Sequence, residues 1–96
     1  MNSDPKTALI TGSGQNIGRG IAHHLAADGF NIVINGSSDQ DAAERVASEI
    51  RAKGANALVA MGDVGEKAAA ERVIKAGLEH FGAIDVLVNN AAIRPH

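Results

Sequence analysis

Four short runs of aliphatic and β-branched residues, separated by three stretches of helical period, set the tightest limit on what this chain can fold into. The runs are Thr7-Ala8-Leu9-Ile10-Thr11, Asn31-Ile32-Val33-Ile34-Asn35, Ala57-Leu58-Val59-Ala60-Met61 and Ile84-Asp85-Val86-Leu87-Val88. In the first intervening stretch Ile17, Ile21 and Leu25 share one helical face, and Gly29 is a natural stop. Ser38 or Asp39 caps the second helix, which turns Ala43, Val46, Ala47 and Ile50 inward and ends before Gly54. The third helix runs from about Glu66 to His80, with Ala69, Val73, Ala76 and either Leu78 or Phe81 toward the core. Its outer face alternates Lys67, Glu71, Lys75 and Glu79, the pattern of a solvated surface.

The strands are apolar on both faces, as expected when helices cover a parallel sheet from both sides. With right-handed crossovers this reads as β-α-β-α-β-α-β, an α/β doubly wound parallel sheet (Rossmann-like) in the order 3-2-1-4. The first two helices then lie on one face and the third on the other. In that order Ile84 to Val88 forms an exposed apolar edge, which would make the isolated chain associate. Ninety-six residues allow one domain at most, well below the ~150 residues of a typical one. Hydrophobic residues at 45% and charged residues at 21% describe a globular chain. A net charge of -2 leaves no polycationic footprint for nucleic acid. The absence of cysteine excludes disulfides, thiolate metal sites and a cysteine nucleophile. Met1 to Lys6 is polar, and no apolar run approaches the ~20 residues of a membrane span, so the expected setting is cytoplasmic, without a membrane partner.

Between the first strand and the first helix stands Thr11-Gly12-Ser13-Gly14-Gln15-Asn16-Ile17-Gly18. Glycine lets the backbone turn sharply and approach a phosphate, and the helix start behind it offers free N–H donors and partial positive charge. Read as G-x-G-x-x-G from Gly12, the pattern fails, because its sixth residue is Ile17. Read as T-G-x-x-x-G-x-G, it fits at Thr11, Gly12 and Gly18, with Asn16 in place of the middle glycine. Asparagine tolerates a left-handed backbone and is a good N-cap. A turn serving only strand-to-helix packing remains the alternative. No Gly-Lys-Ser/Thr follows, so a P-loop is excluded.

Ligands of a doubly wound sheet sit at the carboxyl ends of the strands. After the second strand an NAD site usually places an acid on the adenosine ribose; here Asn35-Gly36-Ser37-Ser38 precedes any carboxylate, which is Asp39. Ser37 and Ser38 are suited to a 2′-phosphate, so NADP is favoured over NAD, although no Arg or Lys stands at this turn. Capping the second helix accounts equally for Ser38 and Asp39. After the third strand, Asp63 followed by Glu66 has the form of a capping box, and Asp63 also suits an adenine amino group. After the fourth strand, Asn89-Asn90-Ala91-Ala92 combines strand-bracing amides with small side chains that let a ligand lie against the main chain. A simple turn is the alternative there.

Together, Thr11-Gly12, Asn16-Ile17-Gly18, Asp63-Val64 and Asn89-Asn90-Ala91 resemble the short-chain dehydrogenase/reductase family over nearly the whole chain. Asn16 and Ala92 depart from that family's usual glycines. The resemblance implies that Gly12, Ser13, Gly14, Gln15, Asn16, Ile17 and Gly18 wrap a pyrophosphate, with Ile17 toward the nicotinamide. It implies Asp63 and Val64 at the adenine, Asn90 and Ala91 beneath a ribose, and Asn89 bracing the sheet; Ser37 and Ser38 complete the expected cofactor contacts. The implied reaction is hydride transfer between NADP or NAD and a carbonyl or alcohol, on a small-molecule substrate, in an enzyme that is a homo-oligomer.

The family's proton donors, a Ser and a Tyr-x-x-x-Lys motif, are not found, and the chain has no tyrosine. Residues 1–96 are therefore expected to be the N-terminal, cofactor-binding part of a single domain, inactive alone, with no catalytic residue. His23, His24, His80 and His96 form no H-E-x-x-H pattern, so no metal site is expected. Two other classes compete. One is a stand-alone nucleotide-binding or regulatory module without chemistry. The other is a methyltransferase using S-adenosylmethionine, which normally wants an acid where this chain has Asn35.

Overall fold

The computed structural model describes residues 5–90. Ala91, one of the expected ligand contacts, lies outside them. The elements run β1 (Thr7–Ile10), α1 (Asn16–Ala27), β2 (Asn31–Ile34), α2 (Gln40–Ala52), β3 (Ala57–Val59), α3 (Lys67–Phe81) and β4 (Val86–Val88). The four strands form one parallel sheet in the order β3-β2-β1-β4. Register pairs Leu9 with Val33 and Leu87. The strand runs are slightly shorter than the sequence pattern suggests. Backbone bonding nonetheless continues past β3, with the Ala60 N–H donating to the Ile34 carbonyl at 2.8 Å.

The two-sided apolar pattern has a direct structural cause. Ala8, Ile10, Ile32 and Ile34 point to the face covered by α1 and α2, where they meet Ala22, Ala43, Val46 and Ile50. Leu9 and Val33 point the other way and pack with Val73 of α3. Each fully buried Leu, Ile or Val here contributes roughly 1.5–3 kcal/mol relative to exposure. Asp85, an acid inside an apolar run, accepts the Thr7 N–H on Oδ2 at 2.8 Å, while its own N–H donates to the Thr7 carbonyl at 2.8 Å. It clamps the start of β4 to the start of β1.

Three details depart from the helical readings. The line of α1 that packs on the sheet is Gly18, Ala22 and Ala26, not the one through Ile17. Small residues let the helix axis come close, so Ile21 and Leu25 become half-buried flanks and Ile17 is left 73% exposed. On α3, Gly77 joins Ala69 and Val73 as a buried residue, whereas Leu78 turns outward and Phe81 is half-buried. The capping box does not form. Helix α3 begins after Glu66, whose side chain makes no cap. Asp63 instead closes a tight turn, its Oδ1 accepting the Gly65 N–H at 2.9 Å and its carbonyl accepting the Glu66 N–H at 2.9 Å. On α2 the cap is Asp39, whose Oδ1 accepts the Ala42 N–H at 3.0 Å.

Helices α1 and α2 are also tied by charge. Arg19 grips Glu49 with Nε at 3.1 Å and Nη2 at 2.8 Å, and His23 Nε2 meets the same carboxylate at 2.8 Å. Strand β4 lies at the sheet's outer edge with Leu87 57% exposed, an apolar edge as expected. No helix among the described residues is long and apolar enough to cross a membrane.

Candidate functional site

All four strands end at one crest of the sheet, and the loops that follow them define two cavities. A groove of about 440 Å³ is lined by Thr11, Gly12, Ser37, Asp63 and Val64, with Leu87 and Ile74 on its apolar side. A smaller one of about 110 Å³ lies between Gly14 and Gln15 on one side and Ser37, Ser38 and Asp39 on the other. Four sequence motifs separated along the chain thus meet in space.

The loop after β1 reverses direction at two left-handed residues, Gly12 (φ 63°) and Asn16 (φ 58°). Asn16 is the one non-glycine with positive φ among the described residues. Asparagine reaches that region at lower cost than other side-chain-bearing residues, which is how it stands where the family pattern has glycine. Its side chain does not fold back to cap the helix. Gln15, extended at φ -163°, occupies the N-cap position and makes no side-chain cap either. The first helical amide partner is the Gln15 carbonyl, which accepts from the Arg19 N–H at 3.3 Å. The amides of Asn16, Ile17 and Gly18 therefore have no acceptor among the described residues, and the first turn contains no acid. Such a helix start attracts an anion.

Gly18 brings this helix start hard against the loop. A Cβ at that position would strike the Gly12 carbonyl and come within 2.9 Å of Asn90 Nδ2. Asn90 holds the same carbonyl, donating to it at 3.2 Å. Thr11 Oγ1 lies 3.3 Å from Asn89 Oδ1 and 3.4 Å from the Val88 carbonyl, sharing one donor between them. Both amides after β4 thus brace the loop after β1.

Beneath the loop sits a buried network that sequence reasoning missed. Ser13 is fully buried; its Oγ donates to the Ile10 carbonyl at 2.7 Å and accepts the Asn35 N–H at 2.9 Å. Its side chain therefore has no surface to offer a ligand. Asn35, read from sequence only as a missing acid, is 1% exposed and points inward. The signal available was a polar residue closing the apolar run Ile32-Val33-Ile34.

Of the other expected contacts, Ser37, Ser38 and Asp63 are exposed and Val64 is half-buried, all lining one or both cavities. Ile17 projects into solvent at the helix start and lines neither. Among the described residues no Lys or Arg lines either cavity, and the cation on α1, Arg19, is committed to Glu49. That pairing and the contact with His23 hold the Glu49 carboxyl down at about 2, with Arg19 the larger cause. Among the described residues no group of His, Asp and Glu is arranged to hold a metal ion.

A parallel sheet of order 3-2-1-4 with an uncapped, glycine-packed helix start at its carboxyl crest defines a Rossmann-like protein. Within that class the sequence is specific: residues 6–96 match the short chain dehydrogenase family. The chain is 42% identical over 88 residues to a 3-oxoacyl-[acyl-carrier-protein] reductase of Staphylococcus epidermidis, covering 92% of this chain and 36% of that protein. It is 39% identical over 90 residues to versicolorin reductase of Emericella nidulans, covering 94% of this chain and 34% of that one. Among solved structures it superposes on acetoin dehydrogenase from Enterobacter cloacae with a TM-score of 0.86 at 34% identity, over 93% of this chain and 35% of that one. The chain belongs to the short-chain dehydrogenase family and spans about a third of the length of these relatives.

Proposed function

We propose that this chain holds the nicotinamide dinucleotide of an oxidoreductase that interconverts a carbonyl and an alcohol. The observation that carries the reading is the start of α1, where the amides of Asn16, Ile17 and Gly18 have no acceptor among the described residues and Gly18 packs against Gly12. The main chain of Gly12, Gly14, Gln15, Asn16, Ile17 and Gly18 would surround the diphosphate, with amides and helix field replacing the water lost from it. Ser37 and Ser38 would meet the adenosine ribose, and Asp63 with Val64 the adenine edge and face. Asn90, while bracing Gly12, would stand with Ala91 near a ribose. The bound cofactor supplies the hydride.

The relatives' names cover a 3-oxoacyl-[acyl-carrier-protein], a versicolorin and acetoin. No tyrosine to move the proton stands in this sequence, and the small-molecule substrate is left unassigned among these classes. The whole enzyme is proposed to be a cytoplasmic homo-oligomer.

For the cofactor, position 35 carries no acid and Ser37 and Ser38 offer donors to a 2′-phosphate, which favours NADP. One observation favours NAD: Asp39 lines the small cavity beside these serines, where no Lys or Arg stands among the described residues. Calorimetric titration of the chain with each dinucleotide decides. NADP binding at least about tenfold tighter, roughly 1.4 kcal/mol, supports the first reading and the reverse ratio the second. Binding of neither would sink the nucleotide-holding role.

A further inference from the structure

Asn35 closes β2 with a side chain that uses both ends. Oδ1 accepts the Gly12 N–H at 3.3 Å, and Nδ2 donates to the Ala60 carbonyl at 3.0 Å and the Gly62 carbonyl at 3.1 Å. Its main chain grips Ser13 as well: the Asn35 carbonyl accepts the Ser13 N–H at 2.8 Å, and the Asn35 N–H reaches Ser13 Oγ at 2.9 Å. The amides of Gly12 and Ser13 are thus consumed inside the protein, which leaves those of Gly14, Gln15 and the helix start for a ligand. No buried side-chain polar atom among the described residues lacks a partner.

We infer that Asn35 is a positioning residue that fixes the loop after β1 and the segment after β3 in one arrangement, so that a single carboxamide builds the diphosphate and base subsites together. The inference rests on the dinucleotide reading for what those subsites hold, but the coupling itself is a property of the free protein. The chemistry selects a carboxamide. An acceptor must face the Gly12 N–H and a donor must face two carbonyl oxygens, at a buried position. An aspartate in its place would turn an oxygen toward both carbonyls. Burial and that lone-pair repulsion disfavour the ionised form, so the substituted carboxyl would remain protonated above the usual carboxylate range, keeping one O–H donor. Once ionised, it would push the two segments apart.

The test uses the full chain carrying Asn35→Asp. Without ligand, a pH titration followed by ¹⁵N–¹H NMR is expected to show the amides of Gly12 and Ser13 and those of Gly62 and Asp63 moving on one shared curve. Its midpoint should lie above that of an exposed aspartate, ~3.9. With NADP or NAD, affinity should be close to wild type below that midpoint and fall by about tenfold above it, while wild type changes little over the same range. Movement of one segment without the other, or equal affinity on both sides of the midpoint, overturns the proposal. Failure of wild type to bind either dinucleotide would remove the cofactor reading, and the ligand-free titration would still decide the coupling. Should Asn35→Asp not fold, Ser13→Ala keeps the carboxamide and removes one contact beneath it. Its amide shifts must reach Gly62 and Asp63; confinement to residues 10–14 overturns the proposal.

Discussion

Helices α1 and α2 start at the same crest of the same sheet, yet their first turns are built in opposite ways. Asp39 caps α2 by accepting the Ala42 N–H, and Asp41 adds negative charge in its first turn. The helix field is answered within the protein. At α1 there is no side-chain cap and no acid in the first turn, and Asn16 enters the helix in a left-handed conformation. A missing cap alone does not mark a site, because α3 also lacks one. What sets α1 apart is the close packing of Gly18 on Gly12 and the loop before it, whose Gly12, Gly14 and Gln15 line the cavities at the crest.

The strongest way to break this contrast is to push α1 away from its loop. Gly18→Ala places a methyl against the Gly12 carbonyl and Asn90, and backbone cannot yield as a side chain can. Overpacking of this kind costs about 1–3 kcal/mol. We expect a clear fall in melting temperature and loss of measurable dinucleotide binding. Gly20→Ala is the matched control, with nothing within 4 Å of its added Cβ. It should raise stability by roughly 0.5–1 kcal/mol and leave binding intact. Equal loss of binding in both variants would show that Gly18 has no special place.

A second change would make α1 resemble α2. Gln15→Asp puts a carboxylate at the N-cap of α1, where it can satisfy the free amides and oppose the helix field. Stability should increase by roughly 0.5–1 kcal/mol, while dinucleotide affinity falls about tenfold because a negative group now competes for the same donors. Thermal melts and titration of one sample suffice. A variant that is more stable and binds equally well would mean that the diphosphate is held elsewhere. The converse, Asp39→Ala, should cost about 1 kcal/mol through lost capping, with Asp39→Ser restoring most of it. Asp39→Ser also removes a charge from the small cavity, so its NADP-to-NAD affinity ratio, compared with wild type, reports whether Asp39 acts on the ribose side.

The fold was legible because it rests on periodicity: strands apolar on both faces require helices above and below, and each turn carries a glycine or a capping residue. The glycine loop was legible for the same reason, down to the left-handed role of Asn16. The misreadings share another cause. Pattern assigns burial to large aliphatics, but α1 lies so close to the sheet that Gly18, Ala22 and Ala26 take the inner line and Ile17 is left outside. Side-chain direction at a strand's end is set by distant partners. Ser13 and Asn35 turn inward because each finds the other 22 residues away, and Asn35 finds Gly62 a further 27 residues along. Asp63 was read as half of a capping box because local spacing cannot say where a helix begins.

The smallest effect concerns what joins α1 to α2 on the side away from the loops. Arg19 and, to a lesser extent, His23 hold Glu49 down at about 2 from an ordinary 4.5. The folded state therefore releases this proton more readily than the unfolded chain, and the unfolded chain binds more protons between those two values. Stability from this carboxylate is fully present above about 4.5 and drains away as the pH falls toward about 2. All three side chains touch solvent, and the pair is screened by salt, so the contribution is modest. Glu49→Gln should flatten the acid limb of a melting-temperature profile, with the difference from wild type vanishing at the acid end and shrinking at high salt. If that difference instead persisted unchanged at the lowest pH, Glu49 would be joining the helices by packing and not by charge, and the uncapped start of α1 would depend on α2 for shape alone.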